Sequence, residues 1–180
     1  MRPSTAGVAL AVPRLPITLG ARPIGSSRDL SKLDTANDMG LAAQVSDDGT
    51  LATQLNAITH GDGVAVILDM VGPDWNDLLG GLRAEGSLVN IGALGGLSTE
   101  LNLGALLMKR QTLKSMTMRS QPLENRIRLA QIFNDRLAPL FASGALLPLP
   151  LETFPFEDAN AAHQHTASND FSGQRVIVVE

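Results

Sequence analysis

The chain has no cysteine and no tyrosine, aromatics are only 3% of it, and charged residues only 18%. Without cysteine, disulfide scaffolds, zinc–thiolate sites, iron–sulfur clusters and cysteine nucleophiles are excluded. So few aromatics leave no platforms on which bases could stack, which argues against single-strand and RRM-type nucleic-acid binding. The net charge of -4 offers no bulk electrostatic hold on nucleic acid or an anionic membrane. No apolar run reaches the roughly 18 residues of a spanning helix. The three histidines, His60, His163 and His165, show no metal-binding spacing; the last two are i, i+2 and do not share a helix face. No G-x-S-x-G elbow supports a hydrolase triad. Glu152, Glu157 and Asp158 have no matching partner and read as surface or capping groups.

What is present is enough for an ordinary core: 180 residues, 44% of them apolar. A folded chain of this length buries roughly 70% of the surface its unfolded form exposes. Residues 1–19 stand apart. An early Arg2 and an apolar stretch resemble a signal peptide superficially, but Pro13 and Pro16 interrupt it and no basic region precedes it. They are expected to be an irregular or degenerate start, and a cytoplasmic location is the default expectation.

From Gly20 to Glu180 strands and helices alternate. Residues 21–26 read as a strand, 29–39 as a helix capped by Asp29 and stopped by Gly40, and 41–45 as a weak strand. Residues 50–59 carry Leu51, Leu55 and Ile58 at helical spacing. Residues 64–69, VAVILD, are apolar without alternation, as in a parallel strand covered on both faces. A short helix over 75–82 and a turn at 84–86 lead to a strand over 87–91. Then come a glycine-rich segment, a short helix over 103–108, and a strand over 112–118. The spacing predicts one long helix over 123–142, with Ile127, Leu129, Ile132, Phe133 and Leu137 facing inward. Pro148 and Pro150 mark an extended stretch, residues 156–166 a short helix, and 175–179 a closing strand. This order predicts an α/β fold, a Rossmann-type parallel sheet flanked by helices with right-handed crossovers.

Three segments carry chemistry. Ser26-Ser27-Arg28, with Lys32 four residues on, ends the first strand in hydroxyls followed by cations, which suits a phosphate and in particular the 2′-phosphate of NADP. Asp69-Met70-Val71-Gly72 ends a buried strand in an acid and a glycine, where ligands of open α/β sheets lie. Asn90-Ile91-Gly92-Ala93-Leu94-Gly95-Gly96 places glycines after a strand, which allows a backbone to approach a flat ligand closely. Each has a plainer local alternative: a capped helix with a solvated arginine, a strand end with a helix cap at Asp69 or Asp74, and a flexible loop. A phosphate-binding turn with two or three glycines is missing. Its only candidate, Ala6-Gly7-Val8-Ala9, keeps one glycine, and Pro13 and Pro16 would break the helix after it.

LGARPIGSSR, VILDMVG, GSLVNIGALGG, ELNLGALLMKRQTL, FPFEDANAAH and SGQRVIVV occur in that order over about residues 20–180. Together they resemble the carboxyl-terminal, nucleotide-binding part of the zinc-free NAD(P)H-dependent quinone oxidoreductases, in the medium-chain dehydrogenase/reductase superfamily. The resemblance implies NADPH as cofactor, hydride transfer to a quinone or enal, and an amino-terminal GroES-like domain that is expected to be absent here. It also implies a truncated protein whose turnover is weak or lost. Carried over by position, Ser26, Ser27, Arg28 and Lys32 match the 2′-phosphate region. Val71 and Gly72 match the segment over the cofactor, and Ile91, Gly92, Ala93 and Leu94 the nicotinamide contact. Arg119 matches an arginine near the site entrance, and Gly173 and Gln174 a terminal loop reaching the cofactor, where the family often has Gly-Lys. No catalytic acid or base is implied. The family often has a tyrosine near the adenosine; Ser46-Asp47-Asp48 stands there instead, and its acids disfavour a neighbouring 2′-phosphate. A homodimer is implied, paired through the strand around 87–91, unless that edge is simply solvated. The alternative function is a non-catalytic nucleotide-binding or dimeric interaction module. A methyltransferase-like fold would want an acidic ribose contact where Ser26-Ser27-Arg28 stands.

Overall fold

A computed structural model describes residues 20–38, 40–146, 151–168 and 174–179. The expectations placed on residues 1–19, including the degenerate phosphate turn, lie outside the described residues, as do Pro148, Pro150 and Gly173.

Seven strands and seven α-helices alternate along the described residues. β1 (Ile24–Ser27) is followed by a 3₁₀ turn (Leu30–Leu33) and α1 (Asp34–Asp38), then β2 (Ala43–Ser46) and α2 (Leu51–Ile58). β3 (Val64–Asp69), α3 (Trp75–Gly81), β4 (Leu82–Asn90), α4 (Leu103–Met108) and β5 (Thr112–Ser115) form the middle of the chain. α5 (Leu123–Arg136), α6 (Ala138–Ala142), β6 (Leu151–Pro155), a 3₁₀ turn (Phe156–Asp158), α7 (Ala159–Ser168) and β7 (Gln174–Val178) complete it.

Every strand pair is parallel, as the alternation predicts. β1 pairs with β2, β4 lies between β3 and β5, and β6 pairs with β7. The helices between successive strands make the long connections that parallel pairing needs. The fold is therefore of the expected Rossmann-like α/β kind.

The core gathers Val45 of β2, Leu51 and Leu55 of α2, Ile67 of β3, Leu78 and Leu79 of α3, and Leu82 and Leu88 of β4. α2 thus ties β2 to β3 and β4. Beside it glycine packs against leucine: a Cβ on Gly81 would sit 2.7 Å from Leu55 Cδ1.

The first expected helix divides. Asp29 does cap it, accepting from the Ser31 N–H at 3.1 Å, but the first turn is 3₁₀ before α1 begins. The turn expected at 84–86 is built into β4. Val64 pairs with Leu82 and Val66 with Ser87, so four residues of β4 oppose one of β3, with Glu85 at φ 61°. This bulge is the device that turns the strand. The long helix expected over 123–142 breaks at Leu137, ahead of Pro139, whose ring cannot continue the helix. Its expected inner face is uncovered: Ile127, Leu129, Ile132 and Phe133 are all exposed, and nothing among the described residues buries any residue of α5. The edge expected to pair with a second copy is also taken. Ser87 and Leu88 hydrogen-bond to β3 on one side and β5 on the other, so β4 is an inner strand. No described helix is long and apolar enough to cross a membrane.

Candidate functional site

Parallel strands point their carboxyl ends the same way, so the loops after β3 and β4 leave the sheet side by side. The chain braces them together. Asp69 and Asn90, the last residues of the two strands, are register partners. The Ile91 N–H donates to the Asp69 carbonyl at 2.8 Å, the Leu94 N–H to Met70 at 3.2 Å, and the Gly95 N–H to Val71 at 2.6 Å. Asn90 Nδ2 donates to the Gly92 carbonyl at 2.5 Å and to Asp69 Oδ2 at 3.4 Å. On the other side of β4, the Met116 N–H donates to the Asn90 carbonyl at 3.0 Å.

Glycine is required where these loops touch. A Cβ on Gly72, which sits at φ +105°, would lie 2.7 Å from the Gly96 carbonyl oxygen. A Cβ on Gly92 would lie 2.8 Å from the Met70 carbonyl oxygen. The glycine-rich segment is therefore an interlocked backbone wall and not a loose loop. Above it Ala93 and Leu94 are exposed, Leu94 at 72%. The structure thus brings Val71, Gly72, Ile91, Gly92, Ala93 and Leu94 to one place. Asn90 and Trp75, whose indole N–H donates to Asp69 Oδ2 at 2.9 Å, belong to the same assembly. Trp75 was not among the candidates, and Asn90 entered only as the first residue of the glycine-rich segment, although an acid and an amide ending two adjacent strands is a signal the sequence carries.

The end of β1 is a second region. Ser26 and Ser27 are buried, and Ser27 Oγ accepts from the Asp29 N–H at 3.2 Å. That hydroxyl is therefore engaged in the turn. Arg28 is exposed directly after it, so the cation is what this strand end offers to solution. Lys32 lies in the 3₁₀ turn, with its side chain outside the described residues. β1 and β2 run in register through Ser27 and Ser46, and the Asp47 N–H donates to the Ser27 carbonyl at 2.9 Å. The acids Asp47 and Asp48 thus follow immediately beside Ser27 and Arg28, as the sequence suggests. Asp48 is fastened to Thr50: the hydroxyl donates to Oδ1 at 2.6 Å and the backbone N–H to the same oxygen at 3.0 Å. The Thr50 hydroxyl holds the Asp48 carboxyl below its ordinary range, so it carries its charge.

The remaining candidates lie elsewhere in the chain. Arg119 is exposed in the turn that leads from β5 to α5. Gln174 is the first residue of β7, in register with Leu151 of β6, and so begins a strand instead of lying in a loop. A cavity of about 710 Å³ runs along β3, lined by residues 64–68 together with Ile24, Ser26, Leu51 and Leu55. It takes in Ser26 but none of the loop residues after β3 and β4. No group of three or more His, Cys, Asp or Glu is gathered as a metal site among the described residues.

The family model for zinc-binding dehydrogenases matches residues 7–132. Quinone oxidoreductase 1 of Escherichia coli (strain K12) is 30% identical over 177 residues, which is 96% of this chain and 54% of that protein. Quinone oxidoreductase of Salmonella typhimurium is 29% identical over the same share. This chain therefore spans about half the length of the relatives it matches. Among solved structures, Escherichia coli quinone oxidoreductase complexed with NADPH superposes with a TM-score of 0.79 at 27% identity, over 99% of this chain and 56% of that one. A quinone oxidoreductase of Pseudomonas syringae pv. Tomato DC3000 superposes with a TM-score of 0.81 at 24% identity, over 99% and 55%.

Proposed function

The chain belongs to the zinc-binding dehydrogenase family, and from that premise we propose that it is the nucleotide-binding half of an NADPH-dependent quinone oxidoreductase. When bound, NADPH would supply a hydride from its nicotinamide to a quinone or enal, with a proton taken from solvent. The observation that carries this reading is the glycine-rich backbone wall formed by the loops after β3 and β4. It stands where open α/β sheets hold flat cofactors, beyond the carboxyl ends of the strands.

We propose one orientation for such a cofactor on these residues. Gly72, Gly92 and the exposed Ala93 and Leu94 would lie against the nicotinamide half. Exposed Arg28, after Ser26 and Ser27, would pair with the 2′-phosphate. The Asp47 and Asp48 charges beside it work against that phosphate. Discrimination between NADPH and NADH therefore rests on Arg28 and is modest. Lys32, Arg119, Gly173 and Gln174 are proposed as outer contacts on family position alone.

This half binds and orients; hydride transfer also needs the substrate clamped against the nicotinamide, and a second wall must supply that clamp. Turnover by the chain alone is accordingly weak or lost. We place the protein in the cytoplasm, in keeping with a cysteine-free chain, and leave a homodimer to form through a surface other than β4.

The test is titration with NADPH and with NADH, followed by reduced-nicotinamide fluorescence, and then a quinone-reduction assay. Saturable binding that prefers NADPH is expected. No binding of either at millimolar cofactor would overturn the proposal and favour the interaction-module alternative.

A further inference from the structure

We infer that Asp69 is a positioning residue of this site: its carboxylate sets the path of the two cofactor loops and does not itself meet the nucleotide. The inference rests on the cofactor reading above. Asp69 is the acid that ends β3, at the carboxyl edge of the sheet where ligands of open α/β folds lie. It is 0% exposed. Its Oδ1 accepts from the Val71 N–H at 3.0 Å and the Gly72 N–H at 3.3 Å. Its Oδ2 accepts from the Gly72 N–H at 3.1 Å, Trp75 Nε1 at 2.9 Å and Asn90 Nδ2 at 3.4 Å.

An ionised carboxylate accepts only, and this one is surrounded by donors from the loop after β3, from α3 and from the end of β4. To take a ribose hydroxyl it would have to leave the interior and abandon those donors, at the desolvation cost of each. Its own carbonyl meanwhile holds Ile91, the first residue of the second loop. One residue thus sets where both loops start. The loops have no slack in which to absorb a change, because a Cβ would not fit at Gly72 or Gly92. An amide cannot replace the acid without conflict. Asparagine keeps one acceptor oxygen and turns an N–H₂ group toward donors. Removing the charge should therefore move the loops that face the nicotinamide half, and leave the end of β1 as it is.

The experiment compares two nucleotides on the full chain. NADPH reaches both regions, whereas adenosine 2′,5′-bisphosphate carries only the adenosine 2′-phosphate end. Asp69→Asn is expected to weaken NADPH about tenfold, on the scale of one charge-assisted hydrogen bond, with the bisphosphate affinity unchanged. Trp75→Phe deletes one donor and keeps a ring, and is expected to shift the same ratio by a smaller factor; if Asp69→Asn does not fold, this variant decides. Equal weakening of both nucleotides would mean a merely structural acid and would overturn the inference, as would no change in either. A wild-type chain that binds neither nucleotide overturns the cofactor reading and this inference with it. A wild-type chain that binds both while the variants match it overturns this inference alone.

Discussion

The Asp77 carboxylate of α3 accepts the Leu51 N–H of α2 at 3.0 Å, across 26 positions of sequence. Its other oxygen accepts the Ala52 N–H, also at 3.0 Å. Thr50, which stands at the cap position of α2, makes no side-chain cap bond. One helix therefore supplies the cap of the other, with its negative charge at the positive end of the helix dipole. Asp77→Ala is expected to destabilise the chain by about 1–2 kcal/mol, read as a lower midpoint in urea unfolding. An unchanged midpoint would show that the cap contributes nothing.

Gly72 and Gly61 separate two costs of adding a methyl group. Both have positive φ, +105° and +92°, but Gly61 has open space around its Cβ position whereas Gly72 has the Gly96 carbonyl at 2.7 Å. Gly61→Ala should lose about 1–2 kcal/mol from the left-handed backbone alone. Gly72→Ala should lose more and, unlike Gly61→Ala, should abolish NADPH binding. Equal losses in thermal melts would contradict the interlocked wall.

Arg28→Ala is expected to weaken NADPH about tenfold, the worth of one exposed charge-assisted contact to phosphate. NADH has no 2′-phosphate, and its affinity should not move. A parallel loss in both cofactors would place Arg28 away from the 2′-phosphate.

Asp48 should titrate below 3.8 in carboxyl NMR, because the Thr50 hydroxyl stabilises its charged form. Thr50→Val should move it back upward. A depressed folded value means that this contact favours folding at pH values above the unfolded one. It loses that effect as pH falls below 3.8 toward the folded value. An unmoved titration in Thr50→Val would show that the hydroxyl is not the cause.

Residues 64–69 show what was legible. A run of apolar residues between turns has one good solution in an alternating chain, and β3 occupies that run, but it is not covered on both faces as expected, since Ala65 and Val66 are exposed. The glycine-rich segment was legible as a place of close approach or as a flexible loop, and the contacts at Gly72 and Gly92 decide for the first. What was not legible depends on pairs far apart in sequence. Nothing near Leu51 announces Asp77, and nothing near Asp69 announces that Asn90 and Trp75 will share its carboxylate. The periodicity of residues 123–142 did mark a helix. It said nothing of whether the apolar stripe is covered, and Ile127, Leu129, Ile132 and Phe133 remain exposed although the Phe141 ring lies 6.2 Å from that of Phe133.

The uniformly parallel pairing also sets the order in which such a chain can acquire structure. Ile24 meets Ala43, Ile67 meets Leu88, Leu88 meets Leu113, and Leu151 meets Gln174. No strand can zip onto its neighbour through a tight hairpin, so each pairing waits until the intervening helix has folded back. Loop closure is paid before any ladder bond rewards it, which makes such topologies slow to reach the native state and exposes their unpaired edges meanwhile. Refolding from denaturant should therefore be slow and concentration-sensitive in yield, with helical signal recovering ahead of the protection of strand amides from exchange.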